Sequence, residues 1–294
     1  MEHLSKEAQK ALSLSTKDRV KYINGNRWIG YTKCSEILDR MEDLLNYPKS
    51  NRMPNLIIIG DTNNGKTEIL KRFTSSHKPY RVTPKSDLTL PIIHIQSPPV
   101  PDEKRLYNAI LDKLLISYSA NERVEKKEMQ ITKMLEHLST QMIIIDELHN
   151  LLAGTITKQR AYLNVIKYLA NELKISIVAA GIKEALRAIT IDPQLTNRFE
   201  PVILPRWKMS KDYLRLLASF EYMIPLKNKS GLAEKEVAQK ILDMSDGLIG
   251  EISTILKRAS IQAINQGTEK IDLKILETLN WQTPETRRRE GYND

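Results

Sequence analysis

Eight consecutive residues, Gly60-Asp61-Thr62-Asn63-Asn64-Gly65-Lys66-Thr67, have the types and the spacing that hold a polyphosphate. They fit the pattern G-x-x-x-x-G-K-[ST], which a chain of this size shows by chance about once in a hundred. Glycines at the first and sixth positions permit turns that aim backbone N–H groups at phosphate oxygens, beside the positive end of a following helix. Lys66 would reach the β and γ phosphates of a nucleotide, and Thr67 would ligand Mg²⁺. The plain alternative is a glycine turn beside a surface lysine. Against it stands the setting: an apolar, β-branched run precedes the loop and a helical stretch follows it.

A second group is Met142-Ile143-Ile144-Ile145-Asp146-Glu147, four apolar strand residues that deliver two adjacent carboxylates at a strand's C-terminal end. Ligands of open α/β sheets bind there. Asp146 would hold the Mg²⁺ shell and Glu147 would polarise an attacking water. Alone, such a run is more often a strand end or a helix cap. The phosphate loop about 80 residues upstream is what turns it toward catalysis. His149 extends the run to Asp-Glu-Leu-His and reads as structural, or at most as a relay. The nearest approach to a guanine-reading N/T-K-x-D is Asn228-Lys229-Ser230-Gly231, which lacks the aspartate, so adenine is the expected base.

The elements that must position these groups are legible as alternation. Apolar runs at 56–59, 92–95, 142–145 and 175–180 read as strands buried on both faces, 202–204 between Pro201 and Pro205 reads as a last strand, and stretches such as 103–115 and 158–173 read as helices between them. Alternation of this kind means a parallel sheet with crossover helices. Residues 1–50 read as an N-terminal helical appendage, 51–206 as the α/β core and 207–282 as a small helical lid. Residues 283–294, with Arg287-Arg288-Arg289, read as a mobile basic tail.

The 294 residues are 41% hydrophobic and 28% charged, which excludes wholesale disorder. A single cysteine, Cys34, excludes an intramolecular disulfide and suits a reducing compartment, so the cytoplasm is expected. No run is long and apolar enough for a membrane span, and no membrane partner is expected. The 45 Lys and Arg against 36 Asp and Glu leave a net charge of +9, compatible with a polyanionic partner and equally with a solvated basic surface.

The order of phosphate loop, acidic strand, Asn197-Arg198-Phe199 before a last strand, and a helical lid resembles the AAA+ ATPases. At the place of Arg198, such ring and filament ATPases present an arginine to the neighbour's nucleotide; a local salt bridge is the alternative. A closer resemblance, to the TniB family, lies in Arg27-Trp28-Ile29-Gly30-Tyr31, in Arg52-Met53-Pro54-Asn55-Leu56 running into the phosphate loop, in Asp146-Glu147-Leu148-His149-Asn150, and in Gly247-Leu248-Ile249-Gly250-Glu251-Ile252. It spans about residues 3–280. It implies an ATP-dependent regulator of DNA transposition, related to TnsC. Such a protein binds duplex DNA with ATP and assembles on it as a helical filament or ring. It then hands the target to a DDE-type transposase and a TniQ-like adaptor.

By the same resemblance, DNA contacts are expected near the second core strand and the helix after it. Lys104 and Arg105 are offered there, with Arg123, Lys126 and Lys127 further on; a solvated helix face is the alternative for each. Trp28 and Tyr31 would pack the appendage or meet the adenine face, and Trp207 and Trp281 read as core. Two departures stand out. The run Ala179-Ala180-Gly181-Ile182 lacks the polar sensor usual at the end of that strand, and Gly250-Glu251-Ile252 lacks the arginine many AAA+ lids present. Slow hydrolysis, stimulated by DNA or a partner, is therefore expected. Two other readings stay open: a replication initiator or helicase loader, and a non-catalytic scaffold ordered by ATP. The initiator would normally carry a helix-turn-helix after the lid, where about 15 residues follow Leu279.

Overall fold

Five short runs rich in isoleucine and valine form one parallel sheet in the computed structural model, which describes residues 3–190 and 192–290. The strands are β1 (Asn55–Gly60), β2 (Ile92–Gln96), β3 (Met142–Asp146), β4 (Ser176–Gly181) and β5 (Phe199–Leu204), in the order β2-β3-β4-β1-β5. In β1, β3 and β4 every residue is buried, as expected of strands covered on both faces. The edge strand β5 alternates instead, with Phe199, Val202 and Leu204 inward, and it tolerates Pro201 because an edge needs fewer ladder hydrogen bonds. In the parallel register Asn55 lies opposite Phe199 and Gly60 opposite Leu204. The sheet thus has one C-terminal edge, where β1 and β3 both end.

The chain divides into two units, one from Lys33 to Leu204 and one combining the chain up to Thr32 with the chain from Pro205. The first holds the sheet with α3 (Thr32–Leu45), α4 (Lys66–Ser76), α5 (Glu103–Lys113), α6 (Val124–His137), α7 (Ile156–Leu173), α8 (Lys183–Ile189) and α9 (Pro193–Thr196). Its core joins Ile57, Ile93, Ile143 and Ile177 of the strands to Leu106, Ile131, Tyr162 and Leu169 of the helices. The second unit holds α1 (Lys6–Leu12), α2 (Thr16–Asn24), α10 (Lys211–Met223), α11 (Lys235–Ser245), α12 (Ile249–Asn265), α13 (Leu273–Glu277) and α14 (Pro284–Glu290). None of these helices is long and apolar enough to cross a membrane.

The first fifty residues, expected as one appendage, are split between the units. The face of α3 formed by Cys34, Ile37, Met41 and Leu45 is buried, and the Ser176 hydroxyl at the start of β4 donates to the Leu44 carbonyl at 3.3 Å. Burial pushes the Cys34 thiol up to about 12, so it stays protonated and inert. By contrast α2 is part of the helical unit. Ile23 packs with Tyr213, Leu217 and Leu256, and Arg19 donates to both oxygens of Glu269 at 2.9 and 2.7 Å and to the Pro225 carbonyl at 2.7 Å. The Arg19 guanidinium holds the Glu269 carboxyl below the usual range. A paired, largely buried ion pair of this kind makes α2 a fixed element, since removing one partner would strand the other charge.

The tail also differs from expectation. Pro284–Glu290 is helical, and Arg287 pairs with Glu251 of α12 and lies over the Trp281 ring at 5.4 Å. Part of the expected mobile basic tail is thus tied to the helical unit by charge and aromatic contact; residues 291–294 lie outside the described residues. Trp281 donates from Nε1 to the Met244 carbonyl at 2.9 Å, and Trp207 packs on the same core, its N–H bonded to the Gly247 carbonyl at 2.8 Å. Gly247 has φ +68°, and a Cβ there would come within 2.2 Å of the Trp207 carbonyl oxygen. Only glycine fits that turn.

Candidate active site

The loop after β1 turns through Asn63 at φ 61° and Gly65 at φ 89°, both left-handed. Gly65 caps α4 without any side-chain bond to the helix's first N–H groups. That is the geometry of an anion site: a helix start whose N–H dipoles are not taken by a capping oxygen. The reason for the first glycine differs from the expected turn. A Cβ on Gly60 would meet the Leu204 carbonyl oxygen at 3.1 Å and the Leu204 Cβ at 3.2 Å, so Gly60 is there for close approach of β5. Asn64 anchors the loop to the same strand, donating from Nδ2 to the Leu204 carbonyl at 2.9 Å.

Lys66 opens α4 and is only 5% exposed. Its ammonium bridges the Gly60 and Asp61 carbonyls at 2.8 Å each, curled back across the mouth of the loop. Thr67 Oγ1 donates to Asp146 Oδ2 at 2.7 Å, and the Glu147 N–H donates to Asp146 Oδ1 at 2.8 Å. The strand end is held from the other side by Ser97, whose N–H donates to the Asp146 carbonyl at 2.8 Å. Ser97 is fixed in turn by Tyr162, with the hydroxyls 3.0 Å apart, and by Asn150 Nδ2 donating to its carbonyl at 3.0 Å. Ser97 and Asn150 are positioning residues that the motifs did not single out; the only available signal was Asn150 at the end of the Asp-Glu-Leu-His-Asn string.

These residues fit Mg²⁺. The Thr67 hydroxyl and one Asp146 oxygen converge on one point beside the loop, and a hydroxyl, one carboxylate, water and nucleotide phosphates form the hard oxygen set this ion takes. Among the described residues no cluster of three or more His, Cys, Asp or Glu offers a different metal site.

Burial lowers the Lys66 pKa, opposed by the charges of Glu147, then Asp146, then Asp61. The lysine therefore costs the fold stability while it is charged in both states, and that cost fades as pH rises from its lowered pKa toward the ordinary 10.5. For nucleotide the sign reverses, because phosphate favours the charged form. ATP affinity is expected to fall with rising pH earlier than an ordinary lysine would allow. Lys66→Ala should weaken ATP binding about 10- to 100-fold, the worth of a charge-assisted bond to phosphate, as titration with a fluorescent ATP analogue would read.

The remaining candidates scatter. Arg198 lies one residue before β5, at the N-terminal edge of the sheet, and donates from Nη1 to Asn171 Oδ1 of α7 at 2.6 Å. Six strand residues at ~3.3 Å each separate that edge from its own phosphate loop, roughly 20 Å. Lys104 is half-buried and Arg105 exposed on the first turn of α5; Arg123 is exposed before α6, and Lys126 is exposed and paired with Glu122. Lys127, expected as a DNA contact, is not available to DNA. It is 0% exposed, bonded through Nζ to Asn108 Oδ1 at 2.5 Å and set over the Tyr118 ring at 4.2 Å, so it stitches α6 to α5. Tyr31 packs edge to face on Trp207 at 5.0 Å within the helical unit.

The family described as Bacterial TniB protein matches residues 19–209, more than half of the chain. The chain belongs to the TniB family. The match takes in the phosphate loop, Asp146, Glu147 and Arg198. No curated protein matches the chain. Among solved structures, the Aeropyrum pernix ORC2 protein in ADPNP–ADP complexes superposes with a TM-score of 0.61 at 14% identity, covering 87% of this chain and 69% of that one. Cdc6p from Pyrobaculum aerophilum gives 0.59 at 15%, covering 85% and 67%. The Aeropyrum pernix ORC1 protein in complex with DNA gives 0.55 at 15%, covering 88% and 68%. At these identities the likeness is one of fold, and this TniB-family chain has the AAA+ fold: a five-stranded parallel sheet flanked by helices.

Proposed function

We propose that this TniB-family protein is an ATP-dependent, DNA-binding regulator of DNA transposition. It binds ATP with Mg²⁺ at the C-terminal edge of the sheet, hydrolyses it slowly, oligomerises on duplex DNA, and recruits or activates a DDE-type transposase, with a TniQ-like adaptor as a further partner. The observation that carries the reading is the meeting of Lys66, Thr67, Asp146 and Glu147 at one uncapped helix start, in a chain of that family.

The geometry supports the following roles. Backbone N–H groups of 61–67 and the Lys66 ammonium bind the phosphates, and Lys66 exchanges the Gly60 and Asp61 carbonyls for phosphate oxygens. Thr67 and Asp146 would hold Mg²⁺, which supplies charge neutralisation at the β and γ phosphates. Glu147 accepts the proton of the attacking water. Arg198, remote from its own loop, would serve the nucleotide of a neighbouring copy. Lys104, Arg105, Arg123 and Lys126 would meet DNA phosphate, each adding to salt dependence without reading sequence. Support for DNA as the polyanion comes from the net charge of +9 and from the related fold of an ORC1 protein solved in complex with DNA. That same likeness is the basis of a replication-initiator reading, but it rests on fold alone, whereas the family match is to TniB.

Fluorescence anisotropy on random-sequence duplexes of increasing length tests the proposal, with ATP, with ADP and without nucleotide. Tight, length-dependent binding with ATP alone is expected. Equal binding in all three states, or none, would uncouple the phosphate loop from DNA and overturn it.

A further inference from the structure

We infer that His149 is a positioning residue for the water-activating Glu147, taking the place of the polar group that β4 does not supply; the inference rests on the hydrolytic reading of the site. Residues two apart on a helix face away from each other. Here the backbone of Glu147 is left-handed, φ 55° and ψ 38°, between β3 and a short 3₁₀ turn, Leu148–Ala153. That turn brings His149 Nε2 to 3.1 Å from Glu147 Oε2. A carboxylate accepts, so Nε2 carries the hydrogen and the imidazole fixes which way the carboxylate points. The Glu147 N–H is bonded to Asp146 Oδ1 at 2.8 Å, so backbone and side chain are both held.

The other ring nitrogen carries the argument further. His149 Nδ1 is buried and meets no hydrogen-bond partner among the described residues. Burying an unpaired polar atom costs free energy, and a histidine present only to fill space would be improved by an apolar side chain. The ring lies against the end of β4: a Cβ on Gly181 would fall 3.6 Å from Nδ1, 3.4 Å from the His149 backbone nitrogen and 2.6 Å from the Ala185 Cβ. A side chain at Gly181 has no room there, and Ile182 offers no polar atom. The polar group at this end of the sheet therefore comes from the turn after β3. It touches the carboxylate proposed as the base, which makes it a positioning residue, and it would supply the polar contact that β4 does not.

The test compares steady-state ATP turnover of wild type, His149→Ala, His149→Gln, Glu147→Gln and the double variant Glu147→Gln/His149→Ala, with ATP affinity measured alongside. His149→Ala should lower kcat about 10- to 100-fold, the usual cost of a misplaced catalytic group, while KM and ATP affinity stay within twofold. His149→Gln, which keeps a donor of similar reach, should recover part of the loss. In the Glu147→Gln background the second substitution should change nothing further, because the carboxylate it orients is gone. Unchanged or raised kcat in His149→Ala overturns the inference, as does a loss that adds in full to that of Glu147→Gln or one that moves with ATP affinity. A wild-type turnover unaffected by Glu147→Gln would instead overturn the hydrolytic reading itself.

Discussion

Glu147→Gln is expected to cut ATP turnover about 10²- to 10⁴-fold while leaving ATP binding intact, because in the proposed role it removes the group that takes the water's proton and no phosphate ligand. Glutamine keeps the size and one acceptor oxygen of the side chain, so the His149 contact at 3.1 Å retains a partner and the end of β3 keeps its shape. The nucleotide site itself, Lys66 with the loop and Thr67 with Asp146, is untouched. Under the proposed coupling of ATP to DNA, the variant should form duplex complexes that outlast those of wild type, since the step that ends the ATP state is blocked. Radiolabelled phosphate release reads the first effect and anisotropy off-rates with ATP read the second. A variant with ordinary DNA off-rates would mean that hydrolysis does not time the DNA complex. Turnover within a few-fold of wild type would remove Glu147 from the chemistry and favour the scaffold reading.

Arg198→Ala should lower turnover by about 10³-fold in conditions that assemble the protein on DNA, the lower end of what an arginine supplied in trans is worth to phosphoryl transfer. ATP binding to the isolated chain should be unaffected, because Arg198 stands at the N-terminal edge of the sheet, roughly 20 Å from its own phosphate loop. The variant loses the Asn171 bond, a half-exposed contact whose removal is expected to cost little stability. The two measurements that matter are turnover with long duplex and sedimentation of the assembled species. If turnover with DNA is unchanged, Arg198 is a local partner of Asn171 and nothing more. A decisive control mixes Arg198→Ala with Lys66→Ala: an arginine acting across an interface allows partial recovery, because Lys66→Ala subunits still offer Arg198 to neighbours with an intact loop.

Much of the nucleotide site is legible before any fold is known, for a reason that can be named. A phosphate loop is a local object. Its turn, its uncapped helix start and its lysine are set by backbone angles and spacing within eight residues, so Gly65 at φ 89° and Lys66 at the first position of α4 follow from the motif. The strands are legible because both of their faces are buried, which leaves unbroken apolar runs, Leu56 to Ile59 and Met142 to Ile145, with no polar alternation in β1 and β3. The edge strand β5 is harder, since Glu200 and Pro201 interrupt it, and only Val202 to Leu204 were evident as a strand where Phe199–Leu204 is one.

Other features depend on partners far away in the chain. The split of the N-terminal helices is one: nothing within residues 1–50 says that Arg19 meets Glu269 while Met41 is buried in the sheet unit. Lys127 is another. In the sequence it is one of several basic residues around a helix start, and only the packing of α6 on α5 turns its ammonium toward Asn108 and Tyr118. The identity of Gly60 as a close-approach glycine needs β5 beside it, and the bond from His149 to Glu147 needs a left-handed residue at the strand's end that no local pattern announces. By itself the sequence determined the parallel α/β fold and the family, and it singled out the loop and the carboxylates proposed to serve a nucleotide, because each is written in short-range periodicity and spacing. The tertiary structure alone decided which basic residues face solvent and which helix belongs to which unit, because those are fixed by contacts between segments that the chain keeps far apart.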